Sequence, residues 1–231
     1  MSYKFTRLVP DSVVTYNNGY AFRRLVVYPA TPGLEYSNGI CFGIGTATDT
    51  DICIADIIDG TPITSILSEA FAYNGYITSV IIPELVTEIG EKAFYSNINL
   101  TKLTIRCESA KICTEAFRDC TKLTDVIISG SVYNIGSGAF RSCSSLKRIN
   151  LTEGLTTIFG YAFSGCTSLE HITIPIGVNI IYGYAFDDCK SLNRIAFEGT
   201  VAQWNAINKQ NYWNNRVPAT EVVCSDGTVS L

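Results

Sequence analysis

Residues 162–189 read AFSGCTSLEHITIPIGVNIIYGYAFDDC, a stretch that carries Ala-Phe at its start and again near its end, each followed three residues later by a cysteine. Working outward, the same dipeptide stands at Ala70-Phe71, Ala93-Phe94, Ala116-Phe117, Ala139-Phe140, Ala162-Phe163 and Ala185-Phe186, always 23 residues apart. A fixed period of this length marks an array of stacked supersecondary units. The period also carries Leu100, Leu123, Leu146, Leu169 and Leu192, and an isoleucine ladder through Ile66, Ile89, Ile112, Ile135, Ile158 and Ile181.

The stretch around Leu103-Thr104-Ile105 alternates inward and outward residues, the two-residue period of a short strand with one buried face. One strand per unit is expected. The Ala-Phe segment, flanked by turn residues, has room for about one helical or 3₁₀ turn that closes the core from the opposite side. A single unit cannot bury both faces, whereas stacked units share one core. Equivalent strands then lie parallel, roughly 4.8 Å apart, in one sheet.

Composition narrows the function. The chain has 231 residues, 47% of them hydrophobic and 16% charged, with a formal net charge of -4. Such a balance gives no general attraction to nucleic acid or anionic lipid. No stretch has the length of a membrane span, and the N-terminal MSYKFTRLVPDSVV lacks signal-peptide character. Nine cysteines without close pairs read as reduced thiols.

Leu169-x-x-Ile172-x-Ile174-Pro175, followed by Ile181, Ala185-Phe186 and Cys189, resembles the BspA-like leucine-rich repeats over residues 36 to 231. The resemblance implies a right-handed leucine-rich-repeat coil and an α/β, β-rich solenoid. Trp204, Trp213 and the run VVCSDGTVSL resemble the closing segment of such proteins. Surface and adhesion roles are what the family implies, hence a location at the cell surface or outside the cell. Three departures stand out. An asparagine ladder is missing, Asn97 stands where later units have cysteine, and Ser109 replaces the apolar residue found at Val86, Val132 and Val178.

The organisation expected is an N-terminal extension over 1–35, a capping β-hairpin within 36–62, repeats over 63–200 and a C-terminal cap over 201–231. The hairpin is read at Ile40 to Asp56, around the turn-rich TATDTD. The cap is read as a short helix near Val201 to Lys209 plus a strand near Glu221 to Cys224. Residues 1–35 hold Pro10, Pro29, Pro32 and Asn17-Asn18-Gly19, and serve either as more of the cap or as an arm that docks onto another protein.

Chemistry finds little footing. Cys120, Cys143, Cys166 and Cys189 recur at the period within disulfide range of their neighbours, but their shared inward direction favours small buried thiols over disulfides or metal ligands. His171 is the only histidine, and no serine or cysteine around it has a nucleophile-elbow context. No metal site, no cofactor and no catalytic residue is therefore expected. Two outward surfaces are candidate binding sites. One follows the strands through Lys102, Asp125, Arg148, His171 and Arg194, with Asn150 in the neighbouring ladder. The other gathers Phe159, Tyr161, Tyr182 and Tyr184 on the turns before Ala-Phe. Asn99-Leu100-Thr101 and Asn150-Leu151-Thr152 fit the glycosylation pattern, relevant only in a eukaryotic secretory setting.

The function expected is a non-enzymatic binding scaffold that recognises or adheres to a protein or glycan partner. The alternative is a structural or decoration subunit of a larger assembly, such as a bacteriophage particle, anchored by its N-terminal segment, and then virion-associated or cytoplasmic.

Overall fold

In the coil formed by residues 100–120, Leu100, Leu103, Ile105, Cys107, Ala110, Ile112, Ala116, Phe117 and Cys120 all point inward and are fully buried. Each larger side chain among them contributes roughly 1.5–3 kcal/mol by leaving water, and the next coil repeats the set. The computed structural model describes residues 30–231 and a short antiparallel pairing of Val13–Thr15 with Ala21–Arg23. The expected docking role of residues 1–35 falls largely outside the described residues.

The solenoid is as expected, with one correction: each repeat contributes two strands. The first ladder runs in parallel through Asp51–Cys53, Ser79–Ile82, Lys102–Ile105, Asp125–Ile128 and Arg148–Ile149. An isolated bridge from Asn150 to Thr173 carries it on to His171–Ile174, Arg194–Phe197 and Glu221–Cys224. The second ladder runs through Ile40–Gly43, Ser65–Ile66, Glu88–Ile89, Ala110–Ile112, Val132–Ile135, Thr157–Ile158, Ile180–Ile181 and Asn208–Lys209. Its buried isoleucines are the ladder Ile66 to Ile181. Several of these strands are two residues long, too short to show alternation in the sequence.

The third side consists of turns rather than helix. In the coil holding Phe94, Ala93 N–H donates to Gly90 O at 3.2 Å and Tyr95 N–H to Lys92 O at 2.9 Å. Lys92 and Ser96 lie in the left-handed region, at φ of 54° and 57°. This alternation aims every second amide along the axis. Lys92, Phe94 and Ser96 donate to the carbonyls of Thr114, Ala116 and Arg118 in the next coil at 2.8–3.0 Å. The turn side is thus hydrogen-bonded between repeats much as the sheets are. Behind it, Phe71, Phe94, Phe117, Phe140, Phe163 and Phe186 form one buried column, with ring centroids 4.9–5.6 Å apart and interplanar angles of 9° or less.

The cysteines take over the missing asparagine ladder. Cys120, Cys143, Cys166 and Cys189 point their Sγ atoms at the carbonyls of Phe94, Phe117, Phe140 and Phe163, at 3.3, 3.2, 3.1 and 3.1 Å. Asn97 does the same job earlier, its Nδ2 donating to Phe71 O at 2.8 Å. All nine cysteines are free thiols. At Ser109 the coil absorbs the departure with a register shift: Ala110 pairs with Val132, while Lys111 pairs with Asn134. Ala110 is buried in the place Val86 and Val132 hold elsewhere, and Ser109 turns out to solvent.

Both ends differ from expectation in detail. Ile40 to Asp56 is not a hairpin, because Ile40–Gly43 and Asp51–Cys53 sit in different ladders, each parallel to the following coil. Antiparallel pairing is found instead between Glu35–Ser37 and Ile40–Gly43 and between Ile57–Ile58 and Thr61–Pro62. The short residues of TATDTD turn a corner of a divergent coil. At the other end the helix is confined to Val201–Ala206, with Thr200 and Gln203 forming a capping box. Asn208–Lys209 leaves the expected helix to extend the second ladder, and Gly227–Ser230 adds an antiparallel strand beside Glu221–Cys224. Trp213 meets Phe186 edge-on at 6.0 Å and Trp204 at 5.7 Å, closing the core.

The cap is also latched by charge. Asp187 accepts from Asn215 Nδ2 at 2.7 Å and from Arg216 at 2.9 Å. Burial pushes the Asp187 carboxyl up, but these donors outweigh it and hold it below the usual range.

Candidate functional site

Inward positions are fixed by packing, so the chemistry left to partners lies on outward ladders. Parallel register brings the strand-face candidates together: Lys102 pairs with Asp125, Asp125 with Arg148, and His171 with Arg194. All five are exposed, as is Asn150, whose bridge to Thr173 joins the two halves of this face. Lys102, Thr104, Asp125, Ile127, Arg148, Asn150 and His171 line a shallow concavity. Ile127 lies at its centre and is 57% exposed, an apolar contact point among polar neighbours. Among the described residues, no ion pair ties down Lys102, Arg148 or Arg194. The ladder's acidic ends are Asp51 before Ser79 and Glu221 after Arg194, neither of which is a candidate contact from the sequence.

The aromatic candidates gather on the turn side, far from the strand face in the coil. Phe159 stacks on Tyr182 at 4.9 Å, and Tyr161 on Tyr184 at 5.2 Å, with planes within 5°. Tyr212 extends the second column at 5.5 Å. It escaped the sequence reading because the cap breaks the period: Tyr212 follows Tyr184 by 28 residues. Arg141 lies over the first ring, 5.3 Å from the Tyr161 centroid. Between the columns run Ser137, Gly160, Gly183 and Asn211, and together these residues line a second open concavity with Gln210 at its end. Gln210 Oε1 accepts from Gly183 N–H at 3.3 Å.

Lys209 and the buried cysteine ladder serve the structure. Lys209 is partly buried, donates to the carbonyls of Trp204 and Ile207 at 2.6 and 2.9 Å, and stands 4.8 Å from the Trp204 ring centroid. Burial holds its ammonium below the usual lysine range. Burial likewise raises Cys120 and Cys189 to about 12 and lifts Cys143 and Cys166 well above an ordinary thiol, so these sulfurs remain protonated rather than nucleophilic. No group of three or more metal-ligating residues occurs among the described residues, and no helix there is long and apolar enough to cross a membrane.

Comparison with known proteins places this geometry. A model of the BspA type leucine-rich repeat region matches residues 64–193 in six copies. Among solved structures, the leucine-rich repeat protein TpLRR of T. pallidum is 23% identical with a TM-score of 0.67, covering 82% of this chain and 91% of that one. A leucine-rich repeat protein from Bacteroides ovatus is 24% identical with a TM-score of 0.64, covering 82% and 47%. A leucine rich cell surface protein from Faecalibacterium prausnitzii is 29% identical with a TM-score of 0.54, covering 81% and 55%. The chain therefore spans nearly all of the first protein but only about half of the other two. No curated protein sequence matches it. The period, the two parallel ladders, the buried Ala-Phe turns and the match over residues 64–193 establish that this chain belongs to the BspA-type leucine-rich repeat family.

Proposed function

We propose that this chain is a non-enzymatic recognition module that adheres to a protein or glycan partner at a cell surface, with the strand face as its main contact. The observation that carries this is the succession Arg148, His171 and Arg194 on adjacent strands, exposed and in no ion pair among the described residues although Asp125 and Glu221 flank them on the ladder, in a protein whose net charge is -4. Arg148 and Arg194, held on a stiff sheet with the hydrogen-bonding imidazole of His171 between them, complement an acidic extended segment, and the exposed Ile127 adds an apolar anchor beside them. The cell-surface setting draws on the likeness to the Faecalibacterium prausnitzii protein. Catalysis has no support in a face whose only histidine has two arginines as its nearest ladder neighbours.

The test is a pull-down from candidate host-surface material with the full chain and with Arg148, His171 and Arg194 changed together to Ala. Recovery of the partner should fall in the variant, and recovery by the wild type should weaken as salt rises. Equal recovery by both proteins would remove the strand face from the contact. A variant lacking residues 1–35 separates recognition from attachment: a module of this kind keeps its partner, whereas a decoration subunit loses its assembly.

A further inference from the structure

We infer that the trough between the two aromatic columns is a binding site for an uncharged oligosaccharide, a second site apart from the strand face. Its walls are Phe159 stacked on Tyr182, and Tyr161 stacked on Tyr184; its floor is Gly160 and Gly183. At Gly160 the backbone favours glycine less strictly than at Gly183. Gly160 is outside the left-handed region, and a Cβ there would come 3.1 Å from Gly183 O. The preceding coil carries Ser137 at the equivalent place, with its hydroxyl donating to Gly160 O at 3.0 Å, so a side chain is compatible with the coil. At Gly183 the reason is different: a Cβ would stand 2.9 Å from Asn211 O. Glycine at 160 keeps open a space that a serine would begin to fill.

The walls specify the occupant. Stacked rings turn their edges toward the trough, and aromatic edges carry partial positive charge that suits oxygen lone pairs. The hydroxyls of Tyr161, Tyr182 and Tyr184 make no hydrogen bond among the described residues, and Gln210 and Asn211 add amides at one end. Hydroxyls and amides both donate and accept. A ligand dense in hydroxyl groups matches them on both counts, whereas a proline-rich peptide offers carbonyl acceptors but few donors. No carboxylate, ammonium or guanidinium lines the trough, and the nearby Arg141 guanidinium is engaged over the face of the Tyr161 ring, so a charged ligand would find no dedicated counter-charge there. The rings repeat every 4.9–5.5 Å along the axis, a spacing comparable to the length of one pyranose unit, so successive sugars would meet successive coils.

The experiment is calorimetric titration of the full chain with neutral hexasaccharides of glucose, mannose and N-acetylglucosamine, and separately with decaproline. Saturable binding of at least one neutral sugar below about 1 mM is expected. Gly160→Gln should weaken it at least roughly tenfold, as the side chain enters the trough, and Tyr182→Phe should weaken it with both rings kept. Arg148→Ala should leave it unchanged, so the strand face can fail without this site failing. If Gly160→Gln does not fold by circular dichroism, the double change Tyr182→Phe, Tyr184→Phe decides. The inference is overturned if no neutral sugar binds, if decaproline binds in their place, or if sugar binding survives the tyrosine changes or is lost with Arg148→Ala.

Discussion

The molecule stacks aromatic rings in two regions, one buried and one at the surface, with nearly the same geometry and different standing. The buried one, Phe71 to Phe186, spaces its rings 4.9–5.6 Å apart and runs through six consecutive coils. The outer one, with Phe159 on Tyr182 and Tyr161, Tyr184 and Tyr212 in line, has spacings of 4.9–5.5 Å but spans only the last coils and the cap. Stacking alone is therefore a product of the repeat, since parallel register sets equivalent side chains above one another. What separates the columns is exposure and persistence. The inner phenylalanines are almost fully buried and never replaced, whereas the ladder of Tyr161 and Tyr184 passes through Glu69, Lys92, Glu115 and Gly138 before it becomes tyrosine. A position that tolerates acid, base and glycine is not held by packing.

That contrast can be broken at several points. The largest effect is expected from Phe140→Ala, which opens a cavity in the middle of the inner column and should cost about 3–5 kcal/mol in denaturant unfolding. Alkaline pH comes next. Cys120 and Cys189 are raised to about 12 by burial, from an unfolded value near 9, and burial also raises Cys143 and Cys166 well above that unfolded value. The unfolded chain then releases thiol protons that the folded chain retains. Stability from these thiols is whole below about pH 9 and declines as pH rises toward 12, by roughly 1 kcal/mol per pH unit for each thiol. Unfolding curves at pH 8, 9 and 10 on the wild type and a Cys143→Ala variant measure the slope, which should be shallower in the variant.

A smaller change sharpens the comparison in the opposite direction. Asn97 spends its Nδ2 on Phe71 O, but its buried Oδ1 has no hydrogen-bond partner. Cysteine meets the same need in later coils with no acceptor left over. Asn97→Cys should thus raise stability by about 1 kcal/mol, read from the unfolding midpoint. Smallest of all is Tyr161→Ala: the residue is 38% exposed, and its loss should shift stability by no more than about 1 kcal/mol.

Much of this was legible in the residues and some was not, for physical reasons. The period fixes every residue of the inner column, and the inward direction of Cys120 to Cys189 follows from their place beside it. The second ladder was not legible, because strands such as Glu88–Ile89 and Thr157–Ile158 are too short to alternate, and a lone repeated isoleucine signals burial without signalling a strand. The role of Asn97 was hidden because sulfur and amide nitrogen look unlike in sequence while both donate to the carbonyl of the phenylalanine 26 residues back. At the N-terminal coil, the alternation of Ile40 to Asp56 is real, but alternation alone carries no sign that its two strands belong to different ladders. Both outward surfaces follow from residue type and spacing. The trough floor and Tyr212 came only with the coil geometry, since glycine carries no pattern and the cap leaves the period.

The most direct measurement compares the unfolding free energy of Tyr182→Ala, Tyr184→Ala with that of Phe140→Ala in the full chain. If the outer column is surface held for a partner, the double change costs less than half of what the single inner one costs. A loss equal to or greater than that of Phe140→Ala would mean that the outer rings are packing like the inner ones, and the division between a core that repeats and a surface that recognises would not stand.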